Sequence, residues 1–283
     1  MSVANATSRP GAPRNDMKLE LQNLSVTYAS RNGDVRAVRD CSFVVSRGDV
    51  VGLVGESGSG KTSALMAIPR LLPRGTIVTG RVVCDGQDIA SLREELLNAW
   101  RWRRIALVPQ GASASFTPHI SIGGHITEVL AFHMNLTGAD AKTRAVELLR
   151  TVGLEETFFG RYPHELSGGQ KQRAALATAL ACGPDFLLAD EPTTALDVVT
   201  QKEVLDMIVS LVRSRGMGLL LVTHDLPLAA GLCDKLVVMR EGAVVESGAS
   251  REVVENPQSP FTRNLIDALR RMESADALTG EGS

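Results

Sequence analysis

One stretch of the chain has the residue types and spacing of a phosphate-binding loop: Gly55-Glu56-Ser57-Gly58-Ser59-Gly60-Lys61-Thr62, followed by Ser63. Its glycines let successive backbone N–H groups turn towards an anion without a Cβ clash, while Lys61 reaches the outer phosphates and the Thr62 hydroxyl can ligate Mg²⁺. An apolar strand pattern precedes the loop, and the helix pattern after it directs its N-terminus at the same anion. A glycine-rich loop without a ligand is the alternative, but this context favours a nucleotide site.

Two carboxylates follow a later apolar strand, at residues 186–189. Asp190 and Glu191 come directly after it, and a carboxylate at a buried strand end is costly unless a cation or hydrogen-bond donor compensates it. Because Thr62 already indicates a cation, we expect Asp190 to hold Mg²⁺ and Glu191 to position or deprotonate a water. The alternative is a solvated acidic turn before Pro192.

Three further side chains stand at strand ends. Gln110 follows the strand pattern at residues 105–108. In a parallel α/β sheet this position favours a side chain that contacts a metal or a water, and the alternative is a plain surface amide. His224 follows residues 218–223, where a γ-phosphate contact is favoured over a purely structural hydrogen bond. Tyr28 ends a strand upstream of the loop and fits equally an ordinary aromatic or a ring that stacks on a base.

A second glycine-containing segment precedes a helix pattern at residues 171–182. It comprises Leu166, Ser167, Gly168, Gly169 and Gln170. It is either a second anion-binding helix start or a tight entry to a helix that Ser167 caps.

Composition limits the class of protein. The 283 residues are 44% hydrophobic, enough for a packed core, and the net charge of −2 gives no global basic field for nucleic acid or anionic lipid. We therefore expect no nucleic-acid partner. Four cysteines are scattered without a C-x-x-C pair, which argues against a zinc ribbon, an iron–sulfur site or a disulfide framework and favours buried thiols. No apolar run is long enough to span a bilayer, so a cytosolic protein is expected.

The order of patterns predicts an α/β fold. Residues 1–16 read as a disordered leader, residues 17–255 as one nucleotide-binding domain, and residues 256–283 as a C-terminal extension with a helix at 259–272 and a frayed end. Strand patterns before and after the phosphate loop indicate a β-rich part, and helical periodicity at 122–153 indicates a helical insertion over about 111–165.

The set of motifs resembles the ATP-binding subunits of ABC transporters. The phosphate loop, the Leu166–Gln170 segment continuing into Lys171-Gln172-Arg173, the Asp190-Glu191 strand, the Asp197 loop and His224 occur in that family's order. The resemblance implies a P-loop NTPase core with a mostly parallel sheet, an antiparallel β subdomain and the helical insertion. It further implies that Tyr28 stacks on adenine, that Asp197 belongs to the nucleotide site and that Gln110 links nucleotide to the membrane partner.

Two segments are similar to the dipeptide, oligopeptide and nickel importer group of that family. Residues 256–262 resemble its Asn-Pro-x-His-Pro-Tyr-Thr segment, and residues 109–118 resemble its Pro-Gln-Asp-Pro-x-x-Ser-Leu-Asn-Pro segment. The chain departs from these patterns at Gly111, Phe116, Ser259 and Phe261. No cysteine follows Cys233, so we predict no iron–sulfur cluster.

The resemblance implies an ATPase that drives an importer for a peptide, nickel, a metal chelate or a similar small solute. Lys61, Glu191 and His224 would be catalytic, with ATP on residues 55–63 and Mg²⁺ on Thr62, Gln110 and Asp190. Ser167–Gln170 of a second ATPase subunit, expected to be a different one, would close over the γ-phosphate. Integral-membrane permease subunits would dock on the helical insertion at the cytoplasmic face of the cell membrane, and a solute-binding protein would act indirectly. The alternatives are a non-transport ABC ATPase in a soluble complex and a P-loop phosphotransferase.

Overall fold

The computed structural model describes residues 16–30, 33–111, 115–194 and 196–279. The predicted leader, apart from residue 16, therefore lies outside the described residues, as do parts of the turn at 30–34 and of the loop after Gln110. Within the described ranges, no helix is both long and apolar enough to cross a membrane.

The smaller of two sheets is antiparallel and has the order β2-β1-β4-β5. Its strands are β1 (Lys18–Tyr28), β2 (Val35–Ser46), β4 (Ile77–Cys84) and β5 (Gln87–Asp88). Burial alternates along β1 at Leu19 and Leu21, and resumes at Leu24 and Val26 after a register shift at Asn23, as expected for a strand with one buried face. This sheet is the predicted antiparallel β subdomain.

The larger sheet has the order β10-β9-β3-β8-β7-β6, in which only the β10–β9 pair is antiparallel. Its strands are β3 (Val50–Val54), β6 (Ile105–Val108), β7 (Phe186–Asp190), β8 (Gly218–Thr223), β9 (Lys235–Arg240) and β10 (Ala243–Ala249). Every residue of β3, β7 and β8 is buried, because elements cover both faces of a parallel sheet. The mostly parallel core is therefore confirmed.

Helices cover the larger sheet and form the insertion. They are α1 (Lys61–Ala67), α2 (Glu94–Trp100), α3 (Ile122–Met134), α4 (Gly138–Thr151), α5 (Gly168–Ala179), α6 (Val198–Arg215), α7 (Leu226–Leu232), α8 (Ser250–Glu255) and α9 (Pro260–Thr279). Short 3₁₀ helices lie at Glu156–Gly160 and Pro163–Glu165. Two cores result: Val50 and Val54 face the one with the insertion, whereas Val51 and Leu53 face the one with β1, β2 and α1.

Several predicted helix bounds were wrong. The helix after the phosphate loop, for which the sequence indicates residues 62–72 with Pro69 bending or ending it, stops at Ala67, because a proline disfavours helical backbone just before it. The helical stretch 122–153 is two helices, since Asn135 adopts a left-handed conformation (φ 54°) that ends α3. The last helix continues past Glu273 to Thr279, where Ala275, Ala277 and Leu278 are residues of good helix propensity. The short α2, α7 and α8 were not predicted, since one or two turns carry little periodicity.

Candidate nucleotide site

Four neighbouring strands of the larger sheet end at one edge. Residues 55–60 follow β3, His224 follows β8, Glu191 follows β7, and Gln110 comes two residues after β6. Because parallel strands share a carboxyl edge, side chains from four distant parts of the sequence meet there. They enclose a cleft of about 430 Å³, lined by Ala37, Ser57, Gly58, Gly60, Lys61, Thr62, Ser63, Gln110, Glu191 and His224.

Lys61 lies across the phosphate loop. Its Nζ donates to the carbonyl oxygens of Gly55 and Glu56, at 2.8 Å each, and the residue is only 5% exposed. Burial lowers the pKa of Lys61, and the nearby carboxylates of Glu191 and Asp190 oppose this shift. A cation held in this way by carbonyl dipoles gains a stronger partner when a phosphate oxygen replaces one of them.

The backbone of the loop approaches its neighbours too closely for side chains at two glycines. Gly60 has φ +99°, and a Cβ there would lie 2.1 Å from the Ala37 carbonyl oxygen. At Gly55, with φ +155°, a Cβ would lie 2.2 Å from the carbonyl oxygen of Met239. The loop therefore packs closely against β2 and β9, and only glycine fits at positions 55 and 60.

Thr62 and Asp190 form the part of the site that could hold a metal. The Thr62 hydroxyl donates to Asp190 Oδ1 at 3.1 Å, and Asp190 is 2% exposed. Burial raises the pKa of Asp190, whereas the Thr62 hydrogen bond and the charge of Lys61 lower it. Mg²⁺ binds through one or two protein oxygens together with substrate phosphates and water, so the buried Asp190 carboxylate and the exposed Thr62 hydroxyl fit it.

The carboxylate of Glu191 is held by three side chains. Gln110 Nε2 (3.0 Å) and the Thr194 hydroxyl (3.1 Å) donate to Oε2, while His224 Nδ1 lies 3.0 Å from Oε1. The Glu191 backbone has φ +41°, a conformation that costs a non-glycine residue about 1–3 kcal/mol and concentrates at functional sites. Gln110 contacts Glu191 in this arrangement, so its predicted role as a metal ligand stays a prediction.

Thr194 was missed in the sequence. Its hydroxyl also donates to the Glu191 carbonyl oxygen at 3.0 Å, so it fixes both the backbone and the side chain of that residue. A threonine three residues after an acid at a strand end is a pattern for local side-chain hydrogen bonding, and this signal could have identified it.

Tyr28 lies beside the site without lining the cleft. Its hydroxyl donates to Ser63 Oγ at 3.0 Å and its ring is partly buried at the end of β1. This bond ties β1 to the start of α1. Stacking of the ring on adenine stays a prediction.

The second glycine segment caps α5. Ser167 Oγ accepts from the Gln170 N–H (3.3 Å) and Gln170 Oε1 accepts from the Ser167 N–H (2.9 Å), so the predicted helix cap is confirmed. A Cβ at Gly169 would lie 2.9 Å from Thr200 Cγ2, so the start of α6 can pack this closely only because residue 169 has no side chain. None of the described residues 166–170 lines the cleft around the phosphate loop.

Asp197 caps α6 next to that segment. Its carboxylate accepts from the Thr200 N–H (3.0 Å) and hydroxyl (2.8 Å), and these hydrogen bonds hold its pKa below the usual range. Ala195, two residues before it in the same loop, lies outside the described residues. Val198 and Val199, the next two residues, are 82% and 71% exposed. Ser167–Gln170 and Asp197 thus form a second surface, separate from the phosphate cleft.

A second, mostly apolar cleft of about 400 Å³ lies between β6 and the helical insertion. Its walls include Trp102, Leu107, Pro109, Ser115, Phe116 and Val129. His125 Nε2 accepts from the Thr117 N–H at 2.9 Å and Nδ1 lies 3.0 Å from the Ser121 carbonyl oxygen, which fixes the loop that carries Phe116. Pro109 lines this cleft and Gln110 lines the phosphate cleft, so adjacent residues connect the two.

Comparisons with known proteins agree with this architecture. The model of the ABC transporter family matches residues 38–194. The oligopeptide transport ATP-binding protein OppD of Salmonella typhimurium is 37% identical over 100% of this chain and 85% of its own length. A putative peptide import ATP-binding protein of Brucella abortus is 41% identical over 93% of this chain and 81% of its own. The probable D,D-dipeptide transport ATP-binding protein DdpD of Escherichia coli is 38% identical over 88% and 77%.

A solved structure has the same fold. It is a dimeric post-hydrolysis state of an ATP-binding cassette bound to ADP and Pi, with a TM-score of 0.74 and 30% identity over 82% of this chain and 99% of that one. The predicted P-loop core with its antiparallel sheet and helical insertion is thereby confirmed. Family match, relatives and fold together show that this chain belongs to the ABC transporter family.

Proposed function

We propose that this chain is the ATP-hydrolysing subunit of an ABC importer that takes up peptides through a separate permease. The observation that carries the ATPase assignment is the Glu191 carboxylate, held by Gln110, Thr194 and His224 at the sheet edge that also bears Lys61. The peptide assignment comes from the relatives, whose names refer to oligopeptide, peptide and D,D-dipeptide transport. Uptake of nickel, a metal chelate or a similar small solute stays a prediction from the sequence.

The chemistry assigned to the site is attack of water on the γ-phosphorus of ATP. The new P–O bond forms as the bond to the bridging oxygen of ADP breaks, and Glu191 orients the water and accepts its proton. In this scheme Lys61 neutralises phosphate charge, and His224, which lies against Glu191, would hold the γ-phosphate. Thr62 and Asp190 would hold Mg²⁺, which supplies further charge neutralisation when bound. Catalysis in this scheme is positioning and electrostatic stabilisation.

A second ATPase subunit is part of the proposal. The surface formed by Ser167–Gln170 and Asp197 offers a helix start, capped by Ser167, outside the cleft of this chain's own phosphate loop. Such a surface suits the γ-phosphate of a nucleotide on another subunit. The sequence predicts that the other subunit is a different chain, so that a heterodimer forms.

The permease is proposed to insert a short cytoplasmic helix into the apolar cleft beside β6, which puts this chain at the cytoplasmic face of the membrane. The cleft combines aromatic and aliphatic walls with a volume suited to a few side chains. A cysteine introduced at Ser115 should crosslink to a permease subunit, whereas one at the exposed Ser214 should not. Background from Cys182 should be low, because burial raises the pKa of its thiol to about 11. Absence of any crosslink from position 115 to a membrane protein would contradict this docking mode.

The function is tested by purifying the chain from membranes with its partners. Copurification of a permease and a solute-binding protein is expected, together with ATPase activity that peptide-loaded binding protein stimulates. Stimulation of the ATPase activity by nickel alone would identify nickel, and not peptide, as the transported solute. Transfer of the γ-phosphate to a small acceptor, or purification with only soluble partners, would overturn the importer assignment.

A further inference from the structure

The turn between β9 and β10, residues 240–242, lies directly against the phosphate loop. The Gly242 N–H donates to the Ser59 carbonyl oxygen at 3.0 Å, and the Gly242 carbonyl oxygen accepts from the Arg39 N–H at 2.7 Å. At its other end, the loop approaches β9, where Gly55 faces the Met239 carbonyl oxygen. The hairpin β9–β10 thus contacts both ends of the loop.

Displacement of this hairpin would also disturb the contacts of Lys61. Ser59 is 4% exposed, and its Oγ lies 3.4 Å from Lys61 Nζ. Lys61 Nζ also donates to the Gly55 carbonyl oxygen. Both residues that contact the hairpin therefore contact the lysine as well.

The C-terminal segment docks on the same hairpin. In β10, the two carboxylate oxygens of Glu246 accept from the Gln258 N–H (2.7 Å) and the Ser259 N–H (3.1 Å), just before α9 begins. The Arg240 guanidinium lies over the Phe261 ring, 4.8 Å from its centroid. Thr262 is fully buried, so the start of α9 is anchored rather than loosely attached.

We propose that residues 256–262 position the phosphate loop through this hairpin, with Phe261 and Glu246 as positioning residues. Phe261 restrains Arg240 at the start of the turn, Glu246 ties β10 to the segment, and Gly242 transmits the restraint to Ser59. Neither residue lines the nucleotide cleft, so their effect on the loop is indirect. The inference concerns the loop itself, and rests on the proposed ATPase function only where nucleotide affinity is the readout.

The test compares variants of the full chain. Phe261→Leu keeps apolar bulk but removes the π face, whereas Phe261→Tyr restores it. Arg270→Ala is the matched control: it removes another contact of α9, between Arg270 and the Val254 carbonyl oxygen, that does not involve the turn. Hydrogen exchange is measured without nucleotide at the Gly242 amide and across residues 55–63.

We expect Phe261→Leu to accelerate exchange at these amides about two- to five-fold, the range that loss of an exposed cation–π contact gives, and to weaken ATP binding by a similar factor with kcat unchanged. Phe261→Tyr and Arg270→Ala should leave both quantities unchanged. Unchanged exchange in Phe261→Leu, or equal acceleration in Arg270→Ala, would overturn the proposal. Because exchange is measured without ATP, failure of the ATPase assignment would be seen separately, as a lack of ATP turnover in the unmodified chain.

Discussion

Replacement of Glu191 by glutamine separates the positioning of this residue from its chemistry. The carboxylate accepts from Gln110 and Thr194 on one oxygen and contacts His224 on the other. A glutamine whose amide oxygen takes the first position keeps both of those bonds, and its NH₂ group then faces His224 Nδ1, which accepts when the other ring nitrogen carries the proton. The local structure can therefore persist in Glu191→Gln.

The expected losses differ greatly in size. Replacing charge-assisted hydrogen bonds by neutral ones should cost about 1 kcal/mol of folding stability, roughly 2–4 °C in Tm for a chain of this size. The positive φ of Glu191 adds nothing to the difference, because both side chains carry a Cβ. Loss of the proton acceptor should lower kcat about 10²- to 10⁴-fold, or roughly 3–5 kcal/mol in activation free energy.

Steady-state ATPase rates and equilibrium ATP binding measure the two effects on the same preparation. Glu191→Gln should bind ATP with nearly unchanged affinity and accumulate as a closed dimer, visible by size-exclusion chromatography. Glu203→Gln, the same change at an exposed residue paired with Arg173, is the control and should behave as the unmodified chain. Undiminished turnover in Glu191→Gln would refute the assignment of Glu191 as the base.

Three further predictions follow from buried or strained groups. Asp190→Asn should raise the Tm of the nucleotide-free protein at pH 7, because burial raises the pKa of Asp190 and the native carboxylate therefore costs stability once the pH exceeds its ordinary value of 3.8. The same change should weaken Mg²⁺-dependent nucleotide binding, and an unchanged Tm would contradict the prediction. Gly60→Ala should lose nucleotide binding and about 2–4 kcal/mol of stability, since its Cβ would meet a carbonyl oxygen at 2.1 Å. Gly58→Ala, with open space around the Cβ, should lose only about 1 kcal/mol, and thermal unfolding compares the two variants. Burial raises the pKa of the Cys41, Cys84 and Cys233 thiols from 9.0 to about 12. These thiols should therefore resist alkylation at pH 8 in the folded chain, as measured by mass spectrometry. Their contribution to folding stability should be lost as the pH rises from 9 towards 12, as measured by unfolding at different pH values.

The cleft could be foreseen because its main polar groups come from segments that follow apolar strands. The phosphate loop with Lys61 and the residues Glu191, His224 and Gln110 each come after a run of mostly buried apolar residues. Such strands pair in parallel, and their carboxyl ends must meet. Strand ends in the sequence therefore identify these residues before any coordinates exist.

What the sequence did not contain is the hydrogen bonding between these groups. The contact of Tyr28 with Ser63 joins residues 35 positions apart, and the Glu191 backbone conformation depends on contacts to β8 and Thr194 rather than on its own residue type. The break at Asn135 is different, because the sequence does contain a signal for it. Asparagine often ends a helix in the left-handed conformation, and Gly138 follows three residues later.

The position of Gln110 indicates how docking and hydrolysis can be linked. Pro109 forms part of the apolar cleft, and Gln110 donates to Glu191 across 3.0 Å. A hydrogen bond of this length is lost when its atoms separate by much more than about 0.5 Å. Val108, the last residue of β6, pairs with Ala189 of β7, so Pro109 and Gln110 lie just beyond the paired residues. A permease helix that shifts the β6 end by even an ångström would therefore release one of the three groups that hold the Glu191 carboxylate.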